Sequence, residues 1–216
     1  MSRKSNIDFW KSVLENPTLQ FQEMFDEEKH FLLENVTLGN KVIDLGCGTG
    51  RNTDTIITKT PYVLGIDSDP LVVREFNDKF RNLPRVRAEQ SYVNKLCCED
   101  GIFDVAVSFD LLVNLANEKE EFFIEVSRVL KISGRLLLST YSETALPHRL
   151  EMYELVKAPI GNVGSDGKVL FKTKSGDFVS EQFSLSQLNA FGQQAGLTMI
   201  SAKKVGDLAY LVVFQK

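Results

Sequence analysis

Three glycines and two aspartates carry the clearest chemical signal in the chain. Gly46, Gly48 and Gly50 follow an apolar run that contains Asp44, and Asp67 ends a second apolar run. Glycines in such a turn permit positive φ and let the backbone approach a ligand closely. A carboxylate about 20 residues further on is the spacing at which a βαβ unit holds a ribose diol. The pattern predicts a strand, a tight turn and a helix that together bind a nucleotide.

The spacing of the glycines distinguishes between the kinds of nucleotide site that this turn could form. A P-loop requires GxxxxGK[ST], and neither Lys-Ser nor Lys-Thr follows these glycines. The dinucleotide fingerprint GxGxxG also fails, because the glycines fall at alternate positions. Asp44 would repel a pyrophosphate, whereas it would attract a cationic amino group. The turn therefore fits a ligand with a positive charge better than a dinucleotide.

Residues 44–51 read DLGCGTGR and residues 65–67 read GID. These strings resemble motifs I and II of the class I S-adenosylmethionine (SAM) dependent methyltransferases, and they occur in order at the right interval. The resemblance implies an α/β fold with a doubly wound, mostly parallel seven-stranded sheet (Rossmann-like) and a C-terminal antiparallel hairpin. It also implies SAM as the cofactor and S-adenosylhomocysteine (SAH) as its product.

A second block resembles the segment that leads into strand five of that family. Residues 128–136 read RVLKISGRL, and Ile132 and Ser133 replace the usual Pro and Gly at an expected turn. Periodicity predicts a helix over 118–130 before this block and strand five over 135–141 after it. A hairpin is expected over 197–216, around a Gly-Asp turn.

The remaining segments lie around this predicted core, and the resemblance implies that residues 1–216 belong to a single methyltransferase domain. Residues 1–37 are expected to form an N-terminal helical cap with a break at Asn16-Pro17. Residues 142–182 form an insertion after strand five, with one helix and two short strands. An insertion there lies beside the carboxyl ends of the strands, where open α/β sheets bind ligands. We expect it to shape the acceptor site.

The parts of SAM require different partners, and the resemblance assigns residues to them. The tail ammonium is expected near Asp44 and Gly46, and the ribose diol on Asp67. The family's acid for the adenine amino group is missing, and Glu89 falls one or two positions early, so Ser91 and Tyr92 are expected to replace it. The full expected cofactor set is Asp44, Gly46, Cys47, Gly48, Asn52, Asp67, Ser68, Ser91, Tyr92, Phe109, Asp110 and Leu111.

Methyl transfer is an SN2 displacement, whose rate depends largely on alignment, and a general base is needed only for a protonated acceptor. The candidate catalytic groups near the end of strand five are His148, Tyr141 and Glu143. A single helical histidine is often only structural or solvated. The candidate acceptor-binding residues are Phe21, Phe25, Arg149 and Tyr153. Phe21 and Phe25 fit a lid over the cofactor or ordinary core equally well.

The composition limits the kinds of partner that this chain is expected to bind. The net charge of −4 and the lack of a [DNS]PP[YF] tetrad argue against a nucleic-acid acceptor and favour a small molecule. The three cysteines, two of which are adjacent, and the two histidines have no spacing that predicts a metal site. The N-terminal residues resemble no signal peptide, and no apolar run reaches membrane-spanning length, so a cytoplasmic protein without a membrane partner is expected. The chain is expected to be a monomer or a homodimer.

Two alternatives remain open at this point. The chain could be a SAM-binding regulatory or partner protein without transferase activity. It could instead methylate RNA or protein, for which lysines of the insertion give slight support; these are Lys157, Lys168, Lys172 and Lys174. A solvated hairpin face explains the same lysines.

Overall fold

The computed structural model describes residues 7–173 and 176–216. Residues 1–6 of the predicted cap, and Lys174 of the insertion, lie outside the described residues. The strands are β1 Val42–Leu45, β2 Val63–Asp67, β3 Val86–Gln90, β4 Phe103–Phe109, β5 Leu130–Tyr141, β6 Ile160–Val163, β7 Val169–Phe171, β8 Phe178–Ser180, β9 Thr198–Val205 and β10 Ala209–Gln215. Seven of them form one sheet in the order β3-β2-β1-β4-β5-β10-β9, and β6-β7-β8 form a small second sheet.

The main sheet is parallel except at one edge. β1 pairs in parallel with β2 and β4, which pair in parallel with β3 and β5. β10 is antiparallel to both β5 and β9, so the chain ends in a hairpin. Gly206 takes φ 50° in its turn, a value that favours glycine. The predicted α/β fold, with a mostly parallel seven-stranded sheet and a terminal hairpin, is confirmed.

The α-helices cover both faces of this sheet. They are α1 Ile7–Glu15, α2 Leu19–Asn35, α3 Arg51–Ile56, α4 Pro70–Lys79, α5 Lys119–Val129, α6 Leu146–Leu155 and α7 Leu185–Gln194. Phe21 of α2 packs edge-on against Tyr141 of β5, and Phe123 of α5 packs against Phe214 of β10. Phe214 pairs with Leu136, an odd number of residues from Tyr141. Because side chains alternate along a strand, α2 and α5 lie on opposite faces.

Strand five differs from its predicted bounds. β5 begins at Leu130, which pairs with Phe103, before the expected turn at Ile132 and Ser133. Ser133 takes φ 65°, and its N–H donates to the Lys216 carbonyl at 3.1 Å. The turn is therefore absorbed into the strand as an irregularity, because the end of the chain supplies the hydrogen bonds that extend the ladder.

The insertion folds as α6 followed by the small sheet. The sequence predicted the helix and two of the strands, whereas β6 was missed because its four residues are exposed and include a glycine. Tyr153, Val169 and Phe171 form a separate small core, in which Phe171 stacks on Phe178 with ring centroids 4.5 Å apart. Among the described residues, no helix has the length and apolar character needed to cross a membrane.

Candidate cofactor and acceptor site

A cavity of about 390 Å³ opens where β1 and β4 separate, at the carboxyl ends of the parallel strands. The order of the strands reverses at this point, which is where open α/β sheets bind ligands. The walls come from α1, the glycine turn, the ends of β2, β3 and β4, and the start of β8. All the expected cofactor residues except Asp44 line it. The volume lies in the range of small-molecule sites, roughly 300–1,000 Å³.

Hydrogen bonds fix the glycine turn against the end of β2. The backbone N–H groups of Gly46 and Cys47 donate to the Ile66 carbonyl at 2.8 and 3.0 Å. Asp67 accepts from the N–H of Gly48 at 3.1 Å through Oδ2 and from that of Asp69 at 3.0 Å through Oδ1. Burial raises the pKa of Asp67, and these N–H groups lower it in part. The carboxylate is therefore held rigidly at the cavity wall.

Alanine at Gly48 and at Gly50 should have different effects. A Cβ at Gly50 (φ 92°) would lie 2.4 Å from Phe80 Cε2, so Gly50→Ala should cost about 2–4 kcal/mol of unfolding free energy. Gly48 (φ 53°) has no atom within 4 Å of that position and lines the cavity. Gly48→Ala should cost about 1–2 kcal/mol and weaken SAM binding at least about tenfold, as urea unfolding and calorimetry would measure.

Gly39→Ala is the matched control for these two variants. Gly39 also has positive φ (85°) and open space around it, but it lies away from the cavity. It should lose as much stability as Gly48→Ala and keep full SAM affinity. Equal loss of affinity in both variants would contradict a ligand at Gly48.

Asp44 lies beneath the turn and does not reach the cavity. Its side chain is fully buried, and Oδ2 accepts a hydrogen bond from Thr53 Oγ1 at 2.8 Å. Burial raises its pKa to about 6, although Thr53, Asn52 and Arg51 favour the charged form. The Asp44 side chain therefore does not line the cavity in this structure. Its negative charge still lies under the backbone where a cationic tail was expected.

The residues expected at the adenine lie together at the end of β3. Ser91 and Tyr92 line the cavity, as does the buried Val93, which the sequence reading did not include. Ser91 is tied to the sheet because its N–H donates to the Asp67 carbonyl at 3.0 Å. Tyr92 is 52% exposed, so its ring can cover a bound base.

A cluster of ion pairs lies at the part of the cavity wall formed by the end of β4 and the start of α3. Arg51 Nη1 lies 2.6 Å from Glu28 Oε2, and Arg51 Nη2 lies 3.0 Å from Asp110 Oδ2. Burial and the charge of Glu28 raise the pKa of Asp110 well above its ordinary value, and Arg51 offsets this only in part. Arg51 also lies over the Phe25 ring at 4.8 Å. Sequence reasoning missed Glu28 and Arg51, because nothing in a helix sequence shows which charge turns inward.

The aromatic cover of the cavity comes from α1 rather than α2. Phe21 is fully buried against Tyr141, and Phe25 packs on Phe21 and Arg51, so neither lines the cavity. Trp10 and Leu14 of α1 line it instead. Their helical spacing in the sequence was an available signal for this role.

Arg149 and Tyr153, expected to bind the acceptor, lie in the core of the insertion. Arg149 is fully buried and Tyr153 is 1% exposed. The Arg149 guanidinium donates to the carbonyls of Gly167 and Ser180 at 2.9 and 2.7 Å, to Ser180 Oγ at 2.9 Å and to Gln182 Oε1 at 2.9 Å. Its donors are thus committed to holding the small sheet together.

The structure does not bring the three candidate catalytic groups to the cavity. Tyr141 is 1% exposed beside Arg149, and burial raises the pKa of its phenol well above the ordinary value. Glu143 is exposed and accepts a hydrogen bond from Tyr210 Oη at 3.1 Å. His148 is half-buried near Asp207, in the turn between β9 and β10.

The acceptor side of the cavity is formed by segments that the sequence left unassigned. The 3₁₀ turn Leu112–Asn114 and the residues after it form one wall, and the start of β8 forms the other. The lining residues there are Asn114, Leu115, Ala116, Glu118, Gly176, Asp177, Phe178 and Val179. Within the described residues, no group of His, Cys, Asp and Glu side chains is arranged to hold a metal ion.

Comparison with known proteins identifies the family. A family profile described as a methyltransferase domain matches residues 37–188. The demethylmenaquinone methyltransferase of Tropheryma whipplei is 30% identical over 107 residues, which cover 50% of this chain and 44% of that protein. The 18S rRNA (guanine-N(7))-methyltransferase of Bos taurus is 27% identical over 139 residues, covering 60% of this chain and 47% of that protein. The chain spans about half or less of the length of these curated relatives.

The solved structures show the same fold. The 1,6-didemethyltoxoflavin-N1-methyltransferase of Burkholderia thailandensis, solved with 1,6-didemethyltoxoflavin and SAH bound, superposes with a TM-score of 0.67 at 17% identity, covering 97% of this chain and 85% of that one. The sheet order and the family match together confirm the resemblance to class I SAM-dependent methyltransferases. Because the profile spans more than half of the chain, this protein belongs to the methyltransferase domain family.

Proposed function

We propose that this protein is a SAM-dependent methyltransferase that acts on a small-molecule acceptor. The observation that carries the proposal is the single cavity wall that joins the glycine turn, Asp67 and the end of β4. This wall places a backbone cradle, a ribose-binding carboxylate and an acidic cluster within one site. The match to the methyltransferase domain family supports the same activity.

The residues present fit SAM. A Cβ at Gly48 would meet no protein atom within 4 Å, so the backbone there is open to a ligand. The two hydroxyls of a ribose are donors, and Asp67 is a rigid acceptor for them. Ser91 and Tyr92 offer polar and aromatic surface for the adenine. The carboxylates around the turn favour a cation, and the bound cofactor would supply an electrophilic methyl group.

The acceptor would bind between α1 and the small sheet. Trp10, Leu14 and Phe178 provide apolar surface there, and Asn114 and Asp177 provide polar groups that can orient a substrate. Such an enclosed, mixed lining is typical of small-molecule sites. Aligning the acceptor with the methyl group would account for much of the rate. The demethylmenaquinone named as the acceptor of the Tropheryma whipplei relative is a small molecule, which is compatible with an acceptor of this kind.

Asp67→Asn should weaken SAM and SAH binding by about 10- to 100-fold. The substitution removes the charge that accepts from the ribose hydroxyls, and hydrogen bonds to charged groups are roughly twice as strong as neutral ones. Isothermal titration of the purified protein with each ligand measures the effect. Asp54→Asn is the matched control, because Asp54 is an exposed carboxylate of α3 that pairs with Lys79 outside the cavity.

Three results would distinguish the proposals. Micromolar SAM binding that Asp67→Asn weakens, together with turnover of a small acceptor, supports the proposed function. Binding without transfer to any tested acceptor favours a regulatory SAM-binding protein. Salt-sensitive RNA binding would favour an RNA methyltransferase, the activity named for the Bos taurus relative. Failure of the intact protein to bind SAM or SAH would contradict the assignment of the cavity.

A further inference from the structure

The buried ion cluster contains more acidic groups than basic ones. It contains two carboxylates, Glu28 and Asp110, and one guanidinium, Arg51, joined at 2.6 and 3.0 Å. The side chains of Glu28 and Asp110 are only 1% and 8% exposed. Glu28 Oε1 and Asp110 Oδ1 are also buried, and neither accepts a hydrogen bond from the described residues. With both acids ionised, the cluster lacks one positive charge.

The backbone places this shortage of positive charge next to the cavity. Asp110 directly follows β4 and takes φ 58°, a left-handed conformation that reorients the chain at the strand end. The next residue, Leu111, packs so closely on the glycine turn that a Cβ on Gly46 would lie 3.0 Å from Leu111 Cδ1. Arg51 and Asp110 both line the cavity. A cation bound there would be next to the under-compensated carboxylates.

We propose that the Glu28–Arg51–Asp110 cluster makes the site prefer the cationic sulfonium of SAM to the neutral thioether of SAH, with Asp110 releasing a proton as SAM binds. This inference rests on the proposed function and assigns a specificity role to residues of this chain. Asp110 is the group that changes its charge, and Glu28 and Arg51 are positioning residues that set the charge balance around it.

The groups that face Asp110 determine whether it gains or loses a proton when a ligand binds. Glu28 from α2 raises its pKa, Arg51 from α3 lowers it, and Tyr141 on β5 is a buried phenol that stays neutral. Because the net effect with burial is a raised pKa, Asp110 retains a proton in the free protein at pH values below that pKa. A sulfonium nearby favours the carboxylate, so the proton leaves. SAH has no sulfonium charge and leaves the proton in place.

The same charge balance should affect how the spent product is replaced by a new methyl donor. With SAH in place of SAM, no sulfonium charge would face Asp110, and the carboxyl group would again hold a proton taken from solvent. The product then lacks the electrostatic attraction that held SAM. The cluster therefore favours binding of the methyl donor over binding of the spent product, which promotes exchange of one for the other.

The test is titration calorimetry with SAM and with SAH in buffers of different ionisation enthalpy, at about pH 6, where the amino-acid tails of both ligands carry the same charge. Proton release is read from the dependence of the binding heat on the buffer. The intact protein should release up to about one proton with SAM and close to none with SAH. Asp110→Asn should abolish this difference and weaken SAM binding about tenfold more than SAH binding.

Two further variants keep the test decisive. Asparagine tolerates left-handed backbone, so Asp110→Asn should fold, and Glu28→Gln tests the same cluster from α2. In Glu28→Gln the charge of Glu28 no longer raises the pKa of Asp110, so SAM should release fewer protons than it does from the intact protein. Asp54→Asn, whose carboxylate pairs with Lys79 and not with a member of the cluster, should release protons like the intact protein.

Equal proton release with SAM and SAH, or release that persists undiminished in both Asp110→Asn and Glu28→Gln, would overturn the inference. If SAM and SAH bind without a difference between them, the proposed function stands and only the role of the cluster fails. If neither ligand binds, the proposed function fails and this inference fails with it.

Discussion

Replacing Arg149 with methionine should destabilise the small sheet by about 3–5 kcal/mol and leave SAM affinity within about threefold of the intact protein. The guanidinium donates to acceptors on β8 and on the loops beside it, including the Ser180 and Gly167 carbonyls at 2.7 and 2.9 Å. Methionine fills much of the volume but leaves these buried acceptors without a donor, and each costs about 1–3 kcal/mol. The loss of these hydrogen bonds lowers the unfolding free energy by more than it is raised by no longer burying the charge of Arg149.

The effect should be local to the insertion. Amide hydrogen exchange should show loss of protection in β7 and β8, whereas β1 and β2 stay protected. Arg149→Lys should lose nearly as much stability, because an ammonium cannot reproduce the planar fork that reaches several acceptors at once. Arg87→Met is the matched control, since the Arg87 side chain is 63% exposed and pairs only at the surface with Glu89. It should change stability by less than about 0.5 kcal/mol.

The same variants decide between two roles for Arg149. A structural role predicts lost protection in the small sheet together with reduced acceptor binding. Direct contact with the acceptor, which the sequence alone had favoured, predicts unchanged protection and stability with acceptor binding lost. Unchanged stability in Arg149→Met would therefore contradict the network seen in the structure.

Arg149 also shows why the acceptor side was harder to predict than the cofactor side. The glycine turn and Asp67 are fixed by local rules, because positive φ favours glycine and a strand end positions the next carboxylate. Gly46, Gly48 and Asp67 accordingly line the cavity. The environment of Arg149 depends on chain more than 15 residues away that folds over it, and no local pattern encodes that packing.

A similar limit explains the helical cap. Phe21 and Trp10 both stand at apolar positions of amphipathic helices, and periodicity shows which face is buried but not what it is buried against. In the structure α2 packs Phe21 on the sheet, and α1 brings Trp10 to the cavity. Asp44, which was expected to contact the ligand, is fully buried beneath the turn and accepts a hydrogen bond from Thr53, a partner that the motif does not reveal.

Replacing Arg51 with methionine should cost the folded protein about 3–5 kcal/mol at pH 8. Arg51 is the one guanidinium that holds Glu28 and Asp110, and removing one member of a buried ion cluster leaves uncompensated charge. Urea unfolding measures the change. Lys79→Met is the control, because Lys79 and Asp54 are 41% and 51% exposed and their pair should contribute less than about 1 kcal/mol.

The stability lost in Arg51→Met should also depend on pH, in a direction that the pKa of Asp110 determines. The pKa of Asp110 is already raised above its ordinary value of 3.8, and loss of Arg51 removes the group that lowers it. A carboxyl with a raised pKa holds more protons when folded than when unfolded, so stability falls as pH rises from about 4 through the folded pKa. Arg51→Met should therefore lose less stability at pH 5 than at pH 8.

A triple variant separates the charges from the packing. Glu28→Gln and Asp110→Asn, added to Arg51→Met, leave a cluster without charge, which should recover most of the lost stability at pH 8. It should also bind SAM and SAH with similar affinity, because the group that distinguishes a sulfonium from a thioether is gone. A pH-independent loss in Arg51→Met that the triple variant does not restore would mean that Arg51 acts through its packing on Phe25, where it lies 4.8 Å from the ring centroid. The charge of the cluster would then not contribute to stability. Glu28 and Asp110 would affect only the binding of the cofactor.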